Sequence, residues 1–269
     1  MIDNFKFKDK YNAYDLVDIM RILRTPEGCP WDREQDHQSI KKNFIEETYE
    51  VIEAINKDDK ELLCEELGDV MMQVVFHSQI ETEQGGFNFD DVCDGVCKKL
   101  ITRHPHVFSD ERADTSDDVL IKWDEIKKKT KNQKTQTSVM QSIPRELPAL
   151  MRAEKVQKKA KKVGFDWDNI QGAFDKVGEE TQELKEAVAS GDKDKILDEL
   201  GDLIFSAVNV ARFVDTDPEE ALTHTTDKFI SRFEKVERLA NERNIDMKSS
   251  TLEELDELWN EAKKDIGNQ

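Results

Sequence analysis

The chain is poor in the residues that build cross-linked, turn-rich or membrane-spanning proteins. Its 269 residues include four cysteines, Cys29, Cys64, Cys93 and Cys97, with no CxxC pair and none of the density of a disulfide scaffold. Glycine (11) and proline (6) are scarce and aromatics make up only 7%, which argues against a β protein built on frequent turns. No stretch approaches the roughly 20 apolar residues of a membrane span. The N-terminus MIDNFKFKDKYNAY has no apolar signal-peptide run. These absences lead to the expectation of a reduced, cytoplasmic protein.

Charge is what the chain has in abundance. Asp, Glu, Lys and Arg are 37% of residues and the formal net charge is −19, divided as −13 over 1–128, +3 over 129–148 and −9 over 149–269. Such a field repels a phosphate backbone, so a nucleic-acid polymer and an anionic membrane surface are excluded as partners. A small anionic ligand would need a metal ion as intermediary. The length suits two domains, because a single core tends to split above about 200 residues.

Helical periodicity dominates. Leu16, Ile19, Met20 and Leu23 share one face, and CPWDREQ breaks that pattern. Residues 40–56 and 60–83 read as an antiparallel pair joined by the polar NKDDK, with Phe44, Val51 and Ile55 as core positions. A helix through DVCDGVCKKLITRH, a loop at HPHVF and a helix at DDVLIKWDEIKKK complete the first half. Polar, basic KTKNQKTQTSVMQS marks a linker. The second half reads as helices at AFDKVGEETQELKEAVAS, KILDELGDLIFSAVNVARF, ALTHTTDKFISRFEKVERLA and TLEELDELWNEAKK, with Asp217 and Pro218 as a helix start. The expected fold class is all-α, with duplicated helical-bundle units at 1–128 and 149–269 flanking a linker at 129–148.

The duplication is visible without outside help. Glu46, Glu47 and Glu50 overlay Glu179, Glu180 and Glu183, and ELGD at 66–69 overlays ELGD at 199–202. From Glu50 to Glu66 is 16 residues, as is Glu183 to Glu199. KLITR matches KFISR, Trp123 matches Trp259, and PWD at 30–32 loosely matches DWD at 166–168. Two long copies are not the several short repeats of a solenoid.

Residues three apart share a helical face, so Glu47 and Glu50 project together, as do Glu66 and Asp69 from the next helix. If the antiparallel pair turns these faces inward, four carboxylates converge, and in the second half Glu180, Glu183, Glu199 and Asp202 do the same. Mutually repelling charges near a core call for a cation. Oxygen ligands without His or Cys favour Mg²⁺, with Mn²⁺ as the other candidate. Gly68 and Gly201 cost a helix about 1 kcal/mol each relative to alanine, which suggests a close approach of backbone, metal or ligand.

A cation so held suits a polyphosphate. Lys99 and Arg103, and Lys228 and Arg232, each i to i+4 on a helix, can meet its far end. Trp123 and Trp259 are open to two readings, base stacking and core packing. His104 and His106 have no second-half equivalent and read as packed or capping residues. Cys93 and Cys97 read as core rather than zinc ligands.

The motifs CPWDREQ, EETYE, EELGD, RHPHVF, IPRELPALMRAEKVQKKA, VGFDW, EETQE, DELGD and KFISRF, with the late Trp259, cover nearly the whole chain. Together they resemble the MazG-type nucleoside triphosphate pyrophosphohydrolases, an all-α group related to dimeric dUTPases. The resemblance implies Mg²⁺-dependent hydrolysis of nucleoside triphosphates to monophosphate and pyrophosphate with broad base preference, in a homodimer of four-helix units. It also implies a role in cleaning nucleotide pools or in stress-linked nucleotide control. Carried over by position, the metal ligands are Glu180, Glu183, Glu199 and Asp202, with Glu47, Glu50, Glu66 and Asp69 as the first-half set. Nucleotide contacts fall on Lys176 to Glu180, Lys195 to Asp198, Asp202, Lys228, Arg232 and Trp259. Gly178 and Ile45 depart from the family pattern, in which an aromatic can precede the paired glutamates.

The expected catalytic group is Glu179, Glu180, Glu183, Glu199, Asp202, Lys228 and Arg232. Glu179, and Glu46 in the first half, would orient or deprotonate the attacking water while Lys228 and Arg232 stabilise the leaving group. By family likeness the C-terminal domain is the main catalytic one. Two other classes remain in view. A di-metal oxidase of the ferritin type needs ExxH on two helices, and the chain has one such pair, Glu34 and His37. A non-catalytic metal-binding helical interaction protein would use the same acidic faces without turnover.

Overall fold

In each half a short turn reverses the chain between two long helices, and the turn is built the same way twice. A computed structural model describes residues 5–109 and 135–264, with Arg112, Thr115, Val119, Lys122, Trp123 and Ile126 between them. In the first half α3 (His37–Asn56) meets α4 (Lys60–Glu83) through Asp58 at φ +52°, and the Asp59 side chain caps α4 by accepting from the N–H groups of Glu61 and Leu62. In the second half α9 (Ile170–Ser190) meets α10 (Lys193–Phe213) through Gly191 at φ +71°, and Asp192 caps α10 on Asp194 and Lys195. A left-handed residue followed by an aspartate N-cap ends one helix and starts the next. That shared turn keeps the 16-residue spacing of the acids in both copies. Gly191 adopts this conformation freely, whereas Asp58 is strained there by about 1 kcal/mol.

The chain divides into two compact units, Met1–Lys127 and Lys128–Gln269. In the first, α1 (Ala13–Leu23), capped by Asn12, packs on α4; α2 (Pro30–Glu34), α5 (Phe89–Arg103) and α6 (Pro105–Phe108) complete the described helices. The core gathers Met20, Ile40, Val75, Phe76 and Ile80, with Leu16, Val17, Met72 and Phe89 against it. Arg24 lies over the Phe76 ring and forks onto Glu83. In the second unit α7 (Gln136–Gln141) and α8 (Ala149–Lys161) pack together, α8 contacts both α10 and α11 (Pro218–Glu242), and α11 pairs with α12 (Leu252–Lys264). Val236, Ala240, Leu258 and Ala262 form the α11–α12 core. The described residues are helices and their connections, without strands, as an all-α reading requires.

Several sequence expectations change. Ile55 is 58% exposed, and the buried residues of α3 are Ile40 and Ala54. CPWDREQ contains α2, started by Pro30, and HPHVF is the short helix α6 with Pro105 at its first position; proline suits a first turn because its missing N–H has no partner there. Part of the expected linker is α7, which buries Val139. Most of DDVLIKWDEIKKK, read as a helix, lies outside the described residues. A Cβ added at Gly68 or Gly201 would meet nothing within 4 Å, so neither glycine is required by packing within the chain.

Candidate active site

Each hairpin turns three carboxylates toward one another. In the first unit ligand oxygens of Glu47, Glu66 and Asp69 lie within 4.8 Å of one another, and in the second those of Glu180, Glu199 and Asp202 do the same. Glu50 and Glu183, expected as fourth ligands, are exposed and stand beside these groups rather than within them. Among the described residues both acidic clusters contain carboxylates alone. His37 instead stacks on His77, with their Nδ1 atoms 2.7 Å apart, and its Nε2 meets Glu81 at 2.9 Å.

The clusters are electrostatically uncomfortable. Burial, then Asp69 and Glu50, pushes the Glu47 carboxyl above the usual carboxylate range. Burial and Glu50 do the same to Glu66, and burial with Glu180 and Glu199 does so to Glu183. Glu180 is only 4% exposed and its Oε2 has no hydrogen-bond partner, although its Oε1 takes Lys176 Nζ at 2.6 Å. A buried carboxylate oxygen left unpaired beside two further carboxylates fits a hard divalent cation. Lys176 also holds Glu179 Oε1 at 2.9 Å, and the two glutamates raise the lysine pKa strongly.

A cavity of about 690 Å³ opens beside the second cluster, lined by Lys176, Glu180 and Asp202 at one side and by Phe165, Trp167 and Asn209 among others. Gln157 falls in IPRELPALMRAEKVQKKA and Asp166 in VGFDW, motifs that carried no assigned role, and no motif pointed to Asn209 or Arg212; all four border the cavity. The available signal was an asparagine between Val208 and Val210 on an otherwise apolar stretch of α10, at a position that is Phe76 in the first copy.

The other expected nucleotide residues are not among those lining this cavity. Arg232 lies 6.0 Å from the Trp259 ring centroid, and Trp259 packs on Phe229 and the α11–α12 core. Arg103 over Trp123, at 5.3 Å, repeats that pairing in the first unit. Among the described residues Lys228 and Arg232 have no carboxylate within ion-pair distance, and Arg232 Nε is buried without a partner. Lys195 and Asp198 are exposed on the first turns of α10.

A family model for the MazG nucleotide pyrophosphohydrolase domain matches residues 35–108 and again 171–237, once in each unit. The chain belongs to the MazG family. It is 45% identical over 254 residues to a nucleoside triphosphate pyrophosphohydrolase of Escherichia coli K12, covering 93% of this chain and 96% of the relative. It is also 45% identical over 249 residues to the nucleoside triphosphate pyrophosphohydrolase/pyrophosphatase MazG of Thermotoga maritima, covering 93% and 94%. A Bacillus subtilis protein described only as uncharacterized YabN is 48% identical over 247 residues, which is 91% of this chain and half of that protein. Both MazG matches contain a carboxylate cluster, and the second also contains Asn209, Arg212, Lys228 and Arg232.

Proposed function

We propose that the second unit of this MazG protein hydrolyses nucleoside triphosphates to the monophosphate and pyrophosphate. A divalent cation, Mg²⁺ or Mn²⁺, would be held by Glu180, Glu199 and Asp202, with Glu183 at the rim. The observation that carries this is the unpaired, buried Glu180 Oε2 in a three-carboxylate cluster at the mouth of a 690 Å³ cavity. When bound, such a cation supplies charge neutralisation at the phosphates and a more acidic bound water.

The chain's own groups have distinct tasks. Glu179, oriented by Lys176, accepts the proton of the attacking water. Lys176 orients the two glutamates, and Lys228 and Arg232, cations with no carboxylate partner among the described residues, suit the leaving pyrophosphate. Lys195 and Asp198 border the nucleotide from the start of α10. In the first unit, Glu47, Glu66 and Asp69, with Glu50 at the rim, would form a second cation site. The 133-residue shift that aligns the two ELGD motifs places Phe76, 3% exposed, where the second unit has Asn209. This favours the second unit as the main catalytic one.

The proposed assembly is a homodimer. Leu197, Leu200 and Ile204 on α10 and Phe229, Ile230 and Phe233 on α11 are exposed apolar side chains that a second copy can cover. No helix of the described residues is long and apolar enough to cross a membrane, and the four free cysteines suit a reduced cytoplasmic setting. Product analysis on each common NTP and dNTP tests the reading, with Mg²⁺ and with chelator, for wild type, Glu183→Gln and Glu50→Gln. Monophosphate plus pyrophosphate, lost with chelator and with Glu183→Gln but kept with Glu50→Gln, is expected. Absence of turnover with every metal and nucleotide refutes it.

A further inference from the structure

We propose that the cavity beside Glu180 and Asp202 is the nucleobase pocket, and that the side-chain amides of Asn209 and Gln157 read the hydrogen-bonding edge of the base. This rests on the hydrolase reading above and specifies how its substrate is held.

The two amides are fixed in opposite senses. Asp166 takes Arg212 through both terminal nitrogens, at 2.9 Å from Nη1 and 2.5 Å from Nη2. Arg212 in turn donates to Asn209 Oδ1 from Nε at 2.8 Å and from Nη2 at 2.5 Å. With its oxygen occupied, Asn209 has its NH₂ group left to donate. Gln157 is reversed: its Nε2 donates to the Phe205 carbonyl oxygen at 2.8 Å, and its Oε1 is buried without a partner in a residue only 6% exposed. A buried acceptor left unpaired is costly, and a ligand N–H satisfies it.

One free donor and one free acceptor suit a nucleobase. Keto bases carry a carbonyl oxygen beside a ring N–H, and amino bases carry a ring nitrogen beside an NH₂ group. Either edge can receive from Asn209 and give to Gln157, which allows several bases into one pocket. Phe165, Trp167 and Phe205 supply apolar walls, and the volume falls in the usual range for small-molecule sites.

The duplicated unit serves as an internal control. At the same register along the ELGD helix, Asn209 is replaced by Phe76 in the buried core and Ser206 by Gln73. The hairpin therefore folds without an amide at that place. Asp166 and Arg212 act as positioning residues, since they set which end of Asn209 is free.

Steady-state kinetics of the full chain with Mg²⁺ tests this, using the common NTPs and a base-free 1,2-dideoxyribose 5′-triphosphate. Asn209→Leu and Gln157→Met are each expected to raise KM for NTPs about tenfold, the loss of one buried hydrogen bond, with kcat within about twofold. The base-free triphosphate is expected to be cleaved equally by wild type and variants. Asn209→Asp keeps an acceptor for Arg212 and removes the donor, so it should show the same KM rise in a normally folded protein. Equal losses on NTPs and the base-free substrate, or unchanged KM for NTPs, overturn the base-reading role and leave the hydrolase reading standing. A wild type that cleaves no triphosphate overturns both.

Discussion

Replacing Glu180 by glutamine should leave the cation-free protein as stable as wild type and yet make it the weaker of the two once Mg²⁺ is added. Ligand oxygens of Glu180, Glu199 and Asp202 lie within 4.8 Å of one another, so each charge pair repels by about 1 to 3.5 kcal/mol for effective dielectric constants between water and 20. Glu180 takes part in two such pairs, or about 2 to 7 kcal/mol. Against this stands one attraction, Lys176 Nζ at 2.6 Å, worth about 1.6 to 6 kcal/mol on the same scale. The two nearly cancel, and the burial of a charged rather than an amide side chain at 4% exposure then favours the variant. With cation at one hundred times the wild-type dissociation constant, wild type gains about 2.7 kcal/mol; a variant binding tenfold more weakly gains about 1.4 kcal/mol. At roughly 3 to 5 °C per kcal/mol for a unit of this size, wild type rises about 10 °C and the variant about 5 °C. Calorimetry in EDTA and in Mg²⁺ reads both numbers. If Glu180→Gln lowers Tm equally in the two buffers, the cluster is an ordinary ion pair with Lys176 and the cation argument is wrong.

Two further outcomes follow from the same electrostatics. Glu47, Glu66 and Glu183 have carboxyls raised above 4.5, so the folded chain retains protons there that the unfolded chain has already released. Stability in EDTA should therefore fall as pH rises from 4.5 through those raised values, and be recovered on acidification from pH 7 toward 5. Asp15, Asp36 and Asp166, held below 3.8, lose their contribution only at lower pH, whereas His77, held below 6.5 by burial and His37, works the opposite way in this window, so the slope is read as the difference between wild type and a Glu47→Gln, Glu66→Gln, Glu183→Gln variant that keeps His77. A wild-type Tm that does not fall relative to that variant between pH 5 and 7 would count against it. Asp166→Asn leaves Arg212, whose side chain is 4% exposed, without its anion, and should cost about 3 kcal/mol by urea denaturation. A loss under about 1 kcal/mol would show that water screens the pair as it does at a surface.

What could be read in advance followed from period and punctuation. The long hairpin helices were legible because their apolar residues recur at helical spacing and because Asp59 and Asp192 are strong N-caps in polar turns. Helices of one turn, such as Pro30–Glu34 and Pro105–Phe108, are too short to show a period, so only their prolines marked them. Ile55 misled because hydrophobicity alone does not say which face of α3 the partner helix covers; Ala54, one residue earlier, is fully buried instead. In each set one i, i+3 pair, Glu66 with Asp69 or Glu199 with Asp202, converges with a single glutamate of the facing helix, Glu47 or Glu180. The fourth, one turn further along its helix, stays at the rim. Gly68 and Gly201 face open space within the chain, so of the close approaches expected there the chain's own backbone is not one, a property of the tertiary arrangement that local sequence does not encode.

The pocket escaped the sequence for a deeper reason. Overlaying the halves selects what they share, and they share the carboxylates, whose mutual repulsion would be relieved by almost any substitution. A cost present twice at one spacing is one that a common charge-neutralising ligand would relieve. The residues that distinguish the halves are the ones an overlay discards: Asn43 against Lys176, Gln73 against Ser206, Phe76 against Asn209. In the first unit these positions bring a buried aromatic into the core and Gln73 toward Glu47, lowering the carboxyl that burial and its neighbours raise. In the second they bring a cation onto the paired glutamates and small or amide side chains to the edge of a cavity. Shared acids thus mark where a cation can sit in each unit, and the differences beside them mark the unit in which an organic ligand can sit next to it.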